Sequence, residues 1–270
     1  MGVARPILAV LERELLRLAR QRGRLLSAMV RPLLWLTVIG SGFAAMQGKQ
    51  GGSGYQSFLV PGVLGLALLF GGVLAALSTV NDRESGVMRM LIVAPIEHYW
   101  IVIAKTLGAM LTAVVQALLL LVVLGLFGYL SPQVSLPLLA AGLLATALAC
   151  ASLGMLIAAW SRTLDNYATM MNFVIFPVFF LSGSLYPVQQ LPAVLRVIAT
   201  LNPYTHGVDV LKHAAVTGPA AGFSADFAIG TDFAVLAAFS AVALAIASLR
   251  FSREAANEPL VHRLARKHGD

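Results

Sequence analysis

Apolar runs of about 20 residues recur along this chain, the length an α-helix needs to cross the hydrocarbon of a bilayer. Phe58–Val80 and Ile101–Phe127 are the clearest. In lipid every backbone N–H and C=O must find a partner inside the chain, which leaves helices or closed barrels. No alternating short strands occur, so a barrel is excluded. Only 11% of the 270 residues are charged, against about 25% in soluble domains. The expected fold is an all-α polytopic membrane protein with six transmembrane helices, near 25–46, 57–80, 100–129, 136–160, 168–185 and 231–249.

Other segments are too polar or too short to span. Residues 1–24 carry arginines around a stripe formed by Ile7, Leu8, Leu11, Leu15 and Leu18, which predicts an amphipathic interfacial helix. Gln47–Gly54 reads as a glycine-rich turn, and Arg31, near the start of span 1, is expected to snorkel to the interface, with a buried functional arginine as the alternative. Between spans 5 and 6, the apolar positions of Leu191–Ile198 and Val208–Ala215 mark two short helices in or on the outer leaflet. Small residues four apart in span 4 (Ala141, Ala145, Ala149; Ala147, Ala151) predict close helix contact. The lone cysteine, Cys150, reads as a packing residue.

Asn81–Lys105 is the most charged interior stretch. Asn81 or Asp82 can cap a helix start, with Gly86 in its first turn and Pro95 ending it. Val87, Met90, Leu91 and Ala94 share one face, as in a short amphipathic helix at the membrane surface. With the N-terminus inside, 16 of the 19 Lys and Arg residues fall on inner segments, including the basic tail 250–270. That bias places both termini and the charged stretch in the cytoplasm. The net charge of +7 therefore points to anionic lipid headgroups, not nucleic acid.

The chemistry looked for is absent. There is no GxxxxGK[ST] loop, no metal-spaced His/Cys cluster, and no GxSxG or HExxH. Spans 1 to 6 read as lacking buried Asp, Glu or Lys, which argues against an ion-coupled carrier. A chain without its own energy source must borrow work from a second protein.

The order of parts resembles the membrane subunit of an ABC-2 type transporter. Four stretches carry the likeness: the basic helix before span 1; Asp82-Arg83-Glu84-Ser85-Gly86-Val87-Met88-Arg89 with Leu91–Ile96 and Lys105; Phe176-Pro177 through Leu181–Pro187; and Asn202-Pro203-Tyr204-Thr205-His206-Gly207-Val208-Asp209. The resemblance covers nearly the whole chain. It implies an exporter of the polysaccharide and multidrug group in the bacterial cytoplasmic (inner) membrane. Two permease copies, a homodimer, would pair above two separate ABC ATPase subunits, which alone would hold ATP and Mg. Asp82–Ala94 would be the coupling helix, with Arg83, Glu84, Val87, Arg89 and Leu91 as docking residues. Phe58, Phe70, Asn172, Phe173, Phe176, Phe180 and Tyr186 would line the path, and no residue would be catalytic. Aromatics and one amide suit a glycan, lipid or drug-like amphiphile. The rival classes are a self-contained secondary carrier or channel and a membrane scaffold.

The topology makes a direct prediction. A cysteine replacing Gly51 should react with an impermeant thiol reagent from outside intact cells, and one replacing Ser85 should not; the opposite labelling rejects the assignment.

Overall fold

The structure is a computed structural model describing residues 12–13, 16, 22–87, 98–130, 134–215 and 225–266. Helix is the only extended secondary structure among the described residues. In chain order the helices are α1 (Arg22–Leu34), a π-helical turn (Trp35–Ile39), α2 (Gly40–Glu84), α3 (His98–Leu126), α4 (Leu136–Trp160), α5 (Leu164–Phe180), a 3-10 turn (Val188–Gln190), α6 (Ala193–Leu201), α7 (Pro203–Ala215) and α8 (Ile229–Arg266). The interfacial helix expected over 1–24 lies almost wholly outside the described residues.

The backbone is helical throughout 43–57, where the sequence predicts a glycine-rich turn. Yet the chain reverses there. A straight helix would hold Arg31 and Phe70 about 58 Å apart, whereas the guanidinium lies 4.2 Å from the Phe70 ring centroid. Gly40 likewise packs against Leu59. Two antiparallel legs therefore form, as the hydropathy requires, without the loop that the glycines suggest.

Contacts at the two ends show the legs alternating in direction. Glu84, Lys105, the end of α4, the start of α5 and Phe251 of α8 gather at one end. Phe58, the start of α4, the end of α5, α7 and Asp232 gather at the other. Among the described residues four helices are long and apolar enough to cross a membrane: Phe58–Glu84, Tyr99–Leu126, Leu136–Trp160 and Ile229–Ser252. Met29–Gly42 and Leu164–Phe180 are shorter; α5 spans about 26 Å by helical rise, just under the hydrocarbon thickness.

α2 is the centre of the bundle. Its most apolar stretch is 89% buried, against 28% for that of α8. A helix that is apolar on every side must be surrounded, and α3, α4, α5 and α7 surround this one. The peripheral helices expose apolar faces, including Leu118, Leu119 and Val122 on α3 and Val242, Ile246 and Leu249 on α8. Such a belt belongs in lipid or against another hydrophobic surface.

The small residues of α4 serve two neighbours. Ala147 and Ala151 are buried, and Ala151 meets Gly72 on α2. Ala149 packs with Val210 of α7 and Leu236 of α8. Cys150 is buried in the same contact region, a packing residue as expected. At the α2–α4 crossing the backbones nearly touch: a Cβ at Gly154 would lie 2.8 Å from the Ala76 Cβ and 2.9 Å from the Val73 Cα. Tyr167 of α5 reaches into this crossing and donates its hydroxyl to the Val73 carbonyl at 2.5 Å. Gln116, buried on α3, faces α2 beside Gly71.

α7 differs from the sequence expectation. It does not lie on a surface: Tyr204 through Lys212 are all buried among α2, α4 and α8. α6, by contrast, is amphipathic and exposes Val194, Leu195, Val197, Ile198 and Leu201.

Replacing Gly154 with valine should force the α2–α4 crossing apart and lower stability by about 1–3 kcal/mol, the usual cost of overpacking. The thermal midpoint of the detergent-solubilised protein measures it, and Gly42→Ala, where a Cβ meets nothing within 4 Å, is the control.

Candidate functional site

Three clusters of polar chemistry stand out, one at each end and one at mid-depth.

The first closes the end of α2. Asn81–Glu84 form the last turn of α2 and do not start a new helix. Ser85 is the C-cap and Gly86 follows with φ 77°, a left-handed stop that glycine adopts without strain. The sequence reading thus mistook a helix end for a helix start, because Asn, Asp and Gly occur near both. Asp82 is buried and accepts from Lys105 of α3 and, at 2.5 Å, from Arg13. Arg83 donates to the carbonyls of Ala158, at 3.1 Å, and Ser161, and lies 4.8 Å over the Phe251 ring. Glu84 accepts from the backbone N–H of Leu164 at 3.3 Å. An acidic group at that helix start is favoured by the helix dipole. One turn of α2 is thereby tied to α3, α4, α5 and α8.

Of the five residues expected to dock an ATPase, Arg83 and Glu84 are engaged in these internal bonds. Val87 follows the stop, half-buried. Arg89 and Leu91, with the rest of 88–97, lie outside the described residues.

The second cluster lines a cavity of about 240 Å³. Arg31 and Trp35 from the first leg, Phe70 from α2, and Asn172, Phe176 and Phe179 from α5 form its wall. Trp35 meets Phe179 and Phe180 edge-on, at 5.4 and 5.9 Å between centroids, and Phe176 stacks on Phe180 at 6.4 Å. So Phe70, Asn172, Phe176 and Phe180, four of the seven expected path residues, do come together. Phe173 is 80% exposed on the outer face of α5. Tyr186 donates its hydroxyl to the Phe180 carbonyl, just beyond α5. Phe58 is elsewhere: it is fully buried beneath the Lys212 ammonium, 4.9 Å from ring centroid to nitrogen. The sequence reading missed Trp35 and preferred the interface for Arg31, with a functional arginine inside the bundle as its alternative. The signal was present in the order Arg31–Trp35, one turn apart on an otherwise apolar helix.

The third cluster caps the opposite end. Asp209 accepts the backbone N–H groups of Asp226 and Phe227 at 2.8 and 2.9 Å, which fastens the segment before α8 onto α7. Lys212 donates to Asp226 at 2.9 Å. His206 bonds the Asp232 carboxylate through Nδ1 at 2.8 Å and the Thr200 carbonyl through Nε2 at 2.9 Å. Burial disfavours charge on His206, but these acceptors outweigh it and hold its pKa above the ordinary histidine value. Ligand atoms of Asp209, His213 and Asp232 lie within 4.8 Å of one another, close enough for a metal ion. The Asp209 oxygens are already taken by backbone N–H groups, and His213 Nε2 faces the Phe227 carbonyl at 2.9 Å. A cation would have to displace those bonds.

These clusters correct the expectation that the spans hold no buried ionisable residue. Lys105 and Asp232 both lie within expected spans and are almost fully buried. Each sits near a helix end with an opposite charge beside it, so a composition-level scan of the apolar core passes over it.

An all-helical bundle with long lipid-compatible helices, an ionic clamp at one end and an aromatic cavity at mid-depth defines a multi-pass membrane protein. Comparison with known proteins gives the family. The model of the family described as "ABC-2 type transporter" matches residues 5–216, and the chain belongs to that family. Nodulation protein J of Rhizobium leguminosarum bv. trifolii is 30% identical over 193 residues, 70% of this chain and 72% of the relative. Nodulation protein J of Neorhizobium galegae is 27% identical over 230 residues, 82% of this chain and 84% of the relative. The Escherichia coli protein named "Probable multidrug ABC transporter permease YbhR" is 28% identical over 160 residues, 58% of this chain and 43% of that protein. The family is the membrane component of its transporters, not the ATPase.

The Asp82–Lys105 pair yields a stability prediction. Asp82→Asn removes the buried counter-charge of Lys105 and should cost about 3 kcal/mol or more. Adding Lys105→Met should recover part of that loss, and thermal unfolding of the single and double variants in detergent reads both.

Proposed function

We propose that this chain is the permease subunit of an ATP-driven exporter in a bacterial inner membrane, with both termini cytoplasmic. Two copies pair to enclose the path, and two separate ATPase subunits drive them. The observation that carries the reading is the clamp at the end of α2. Asp82, Arg83 and Glu84 connect one turn to four other helices, directly before the charged stretch 87–97. A force applied to that stretch by a soluble partner is passed to the bundle through short, charge-assisted bonds. Docking then falls to Val87, Arg89 and Leu91, while Arg83 and Glu84 transmit. The cavity between α1, α2 and α5 is each copy's contribution to the path, and its aromatic walls suit an amphipathic, lipid-like or glycan-bearing cargo.

The carrier alternative has to be weighed again, because buried ionisable residues are present. They lie at helix ends, and Asp82, Lys105, His206 and Asp232 each have an oppositely charged or ionisable partner. An ion-coupling site needs a group that exchanges its ion within the path, and none of these faces the cavity.

Gentle detergent extraction should recover a soluble ATPase with the chain. Arg89→Ala with Leu91→Ala should reduce the recovered ATPase at least about tenfold, the loss of a few anchoring contacts. Arg83→Ala should keep the ATPase bound and lose ATP-driven transport in vesicles. Transport indifferent to ATP and abolished by collapsing the proton gradient would overturn the proposal.

A further inference from the structure

Arg31 sits where a cation is most costly. Phe70, under its guanidinium, is near the middle of the Phe58–Glu84 span, about 18 Å from one end and 21 Å from the other by helical rise. α5 gives a second ruler: Asn172 and Phe176, across the cavity, stand about 12 and 18 Å from its start at Leu164. Arg31 therefore turns inward at mid-depth and does not reach for an interface. Its neighbours among the described residues are aromatic or neutral, and no carboxylate pairs with it. A ring face offsets only a modest part of the cost of desolvating a cation. Charged groups at this depth mark binding sites or pathways in membrane proteins.

The geometry leaves the recognition chemistry available. The guanidinium carbon lies over the Phe70 ring, and its N–H groups form a planar fork. The side chain is exposed and lines the cavity together with Phe176 and Asn172. A phosphate, carboxylate or sulfate oxygen pair fits a guanidinium edge in bidentate fashion. Trp35 and Phe176 provide flat apolar walls for the portion next to it.

We propose that Arg31 is the anion-recognition residue of the transport path, and that the cargo is an amphiphile bearing a phosphate, carboxylate or sulfate group. This rests on the permease reading for the word cargo, but the anion site itself is tested without an ATPase. The anion supplies the missing counter-charge at mid-depth, and the aromatic wall holds the adjoining apolar or glycan portion. An unoccupied path is thereby left with an uncompensated charge, which favours loading by anionic molecules over neutral ones of the same shape.

The test uses the full chain in phosphatidylcholine nanodiscs, with Trp100→Phe and Trp160→Phe leaving Trp35 as the sole tryptophan. The probes are dansyl-dodecyl phosphate and its uncharged alcohol. Energy transfer from Trp35 should saturate at a concentration at least about tenfold lower for the phosphate, as a charge-assisted pair requires. R31Q should remove that preference and leave binding of the alcohol unchanged; R31K should retain part of it. Equal binding of both probes, or a preference that survives R31Q, overturns the proposal. If R31Q binds neither probe, R31K decides, because an unchanged tenfold preference without guanidinium geometry refutes bidentate recognition and a reduced one supports it. Inorganic phosphate at millimolar concentration should not compete; competition would make this a free-anion site and refute the amphiphile. Phosphatidylglycerol in the disc should leave transfer intact; displacement would identify a bilayer lipid as the resident and refute the cargo assignment. A failed preference with the ATPase still co-purifying rejects the anion and keeps the permease. A confirmed preference without any ATPase does the reverse.

Discussion

Everything in this bundle is arranged around a helix that water and lipid hardly reach. The Phe58–Val80 stretch of α2 is apolar on all sides, so it can exist only if other helices cover it. That requirement draws α3, α4, α5 and α7 around it. Where α2 ends, the charges of its last turn must find partners. They do so among its neighbours: Asp82 with Lys105, Arg83 with the end of α4, Glu84 with the start of α5. The best-buried helix among the described residues is thus also the one whose end is bonded to four neighbours.

The polar chemistry obeys one rule with a single exception. At both ends of the bundle buried charges occur with partners, since an isolated ion loses far more in desolvation than it recovers. Asp209, Lys212 and Asp226 form one such group, and His206 with Asp232 another. Both fasten α7, a short helix that could not span a bilayer, into the interior. Arg31 stands apart among the described residues: its side chain is exposed in a cavity wall at mid-depth, against an aromatic ring and without a carboxylate partner. The buried charges at the bundle ends are explained by packing and pairing, and this one is not.

Particular residues show how far sequence reading reached into the site. Phe70, Asn172, Phe176 and Phe180 were expected together because the family resemblance drew the path from spans 2 and 5, not because any local pattern showed which faces meet. Phe58 was not separable from them, because which side of α2 it faces depends on where α7 inserts. Asn81–Gly86 misled for a different reason: polar residues followed by glycine mark helix starts and helix stops alike, and only the positive φ of Gly86 distinguishes them. The turn expected at Gln47–Gly54 falls where the chain reverses, but its backbone is helical.

The amino-acid order by itself determined the membrane solvent, the all-helical class, the charged ledge after the second apolar run, and the family likeness. These depend on run length, charge bias and local motif, which are one-dimensional quantities. Tertiary structure alone decided that α7 is buried, that Arg83 and Glu84 bond inward, and that Arg31 meets Phe70. Each of those depends on which faces of distant helices meet. In a chain where nearly every face is apolar, periodicity cannot rank one face above another, so the choice falls to shape, to the close approach allowed at Gly72 and Gly154, and to where a buried charge can find its partner.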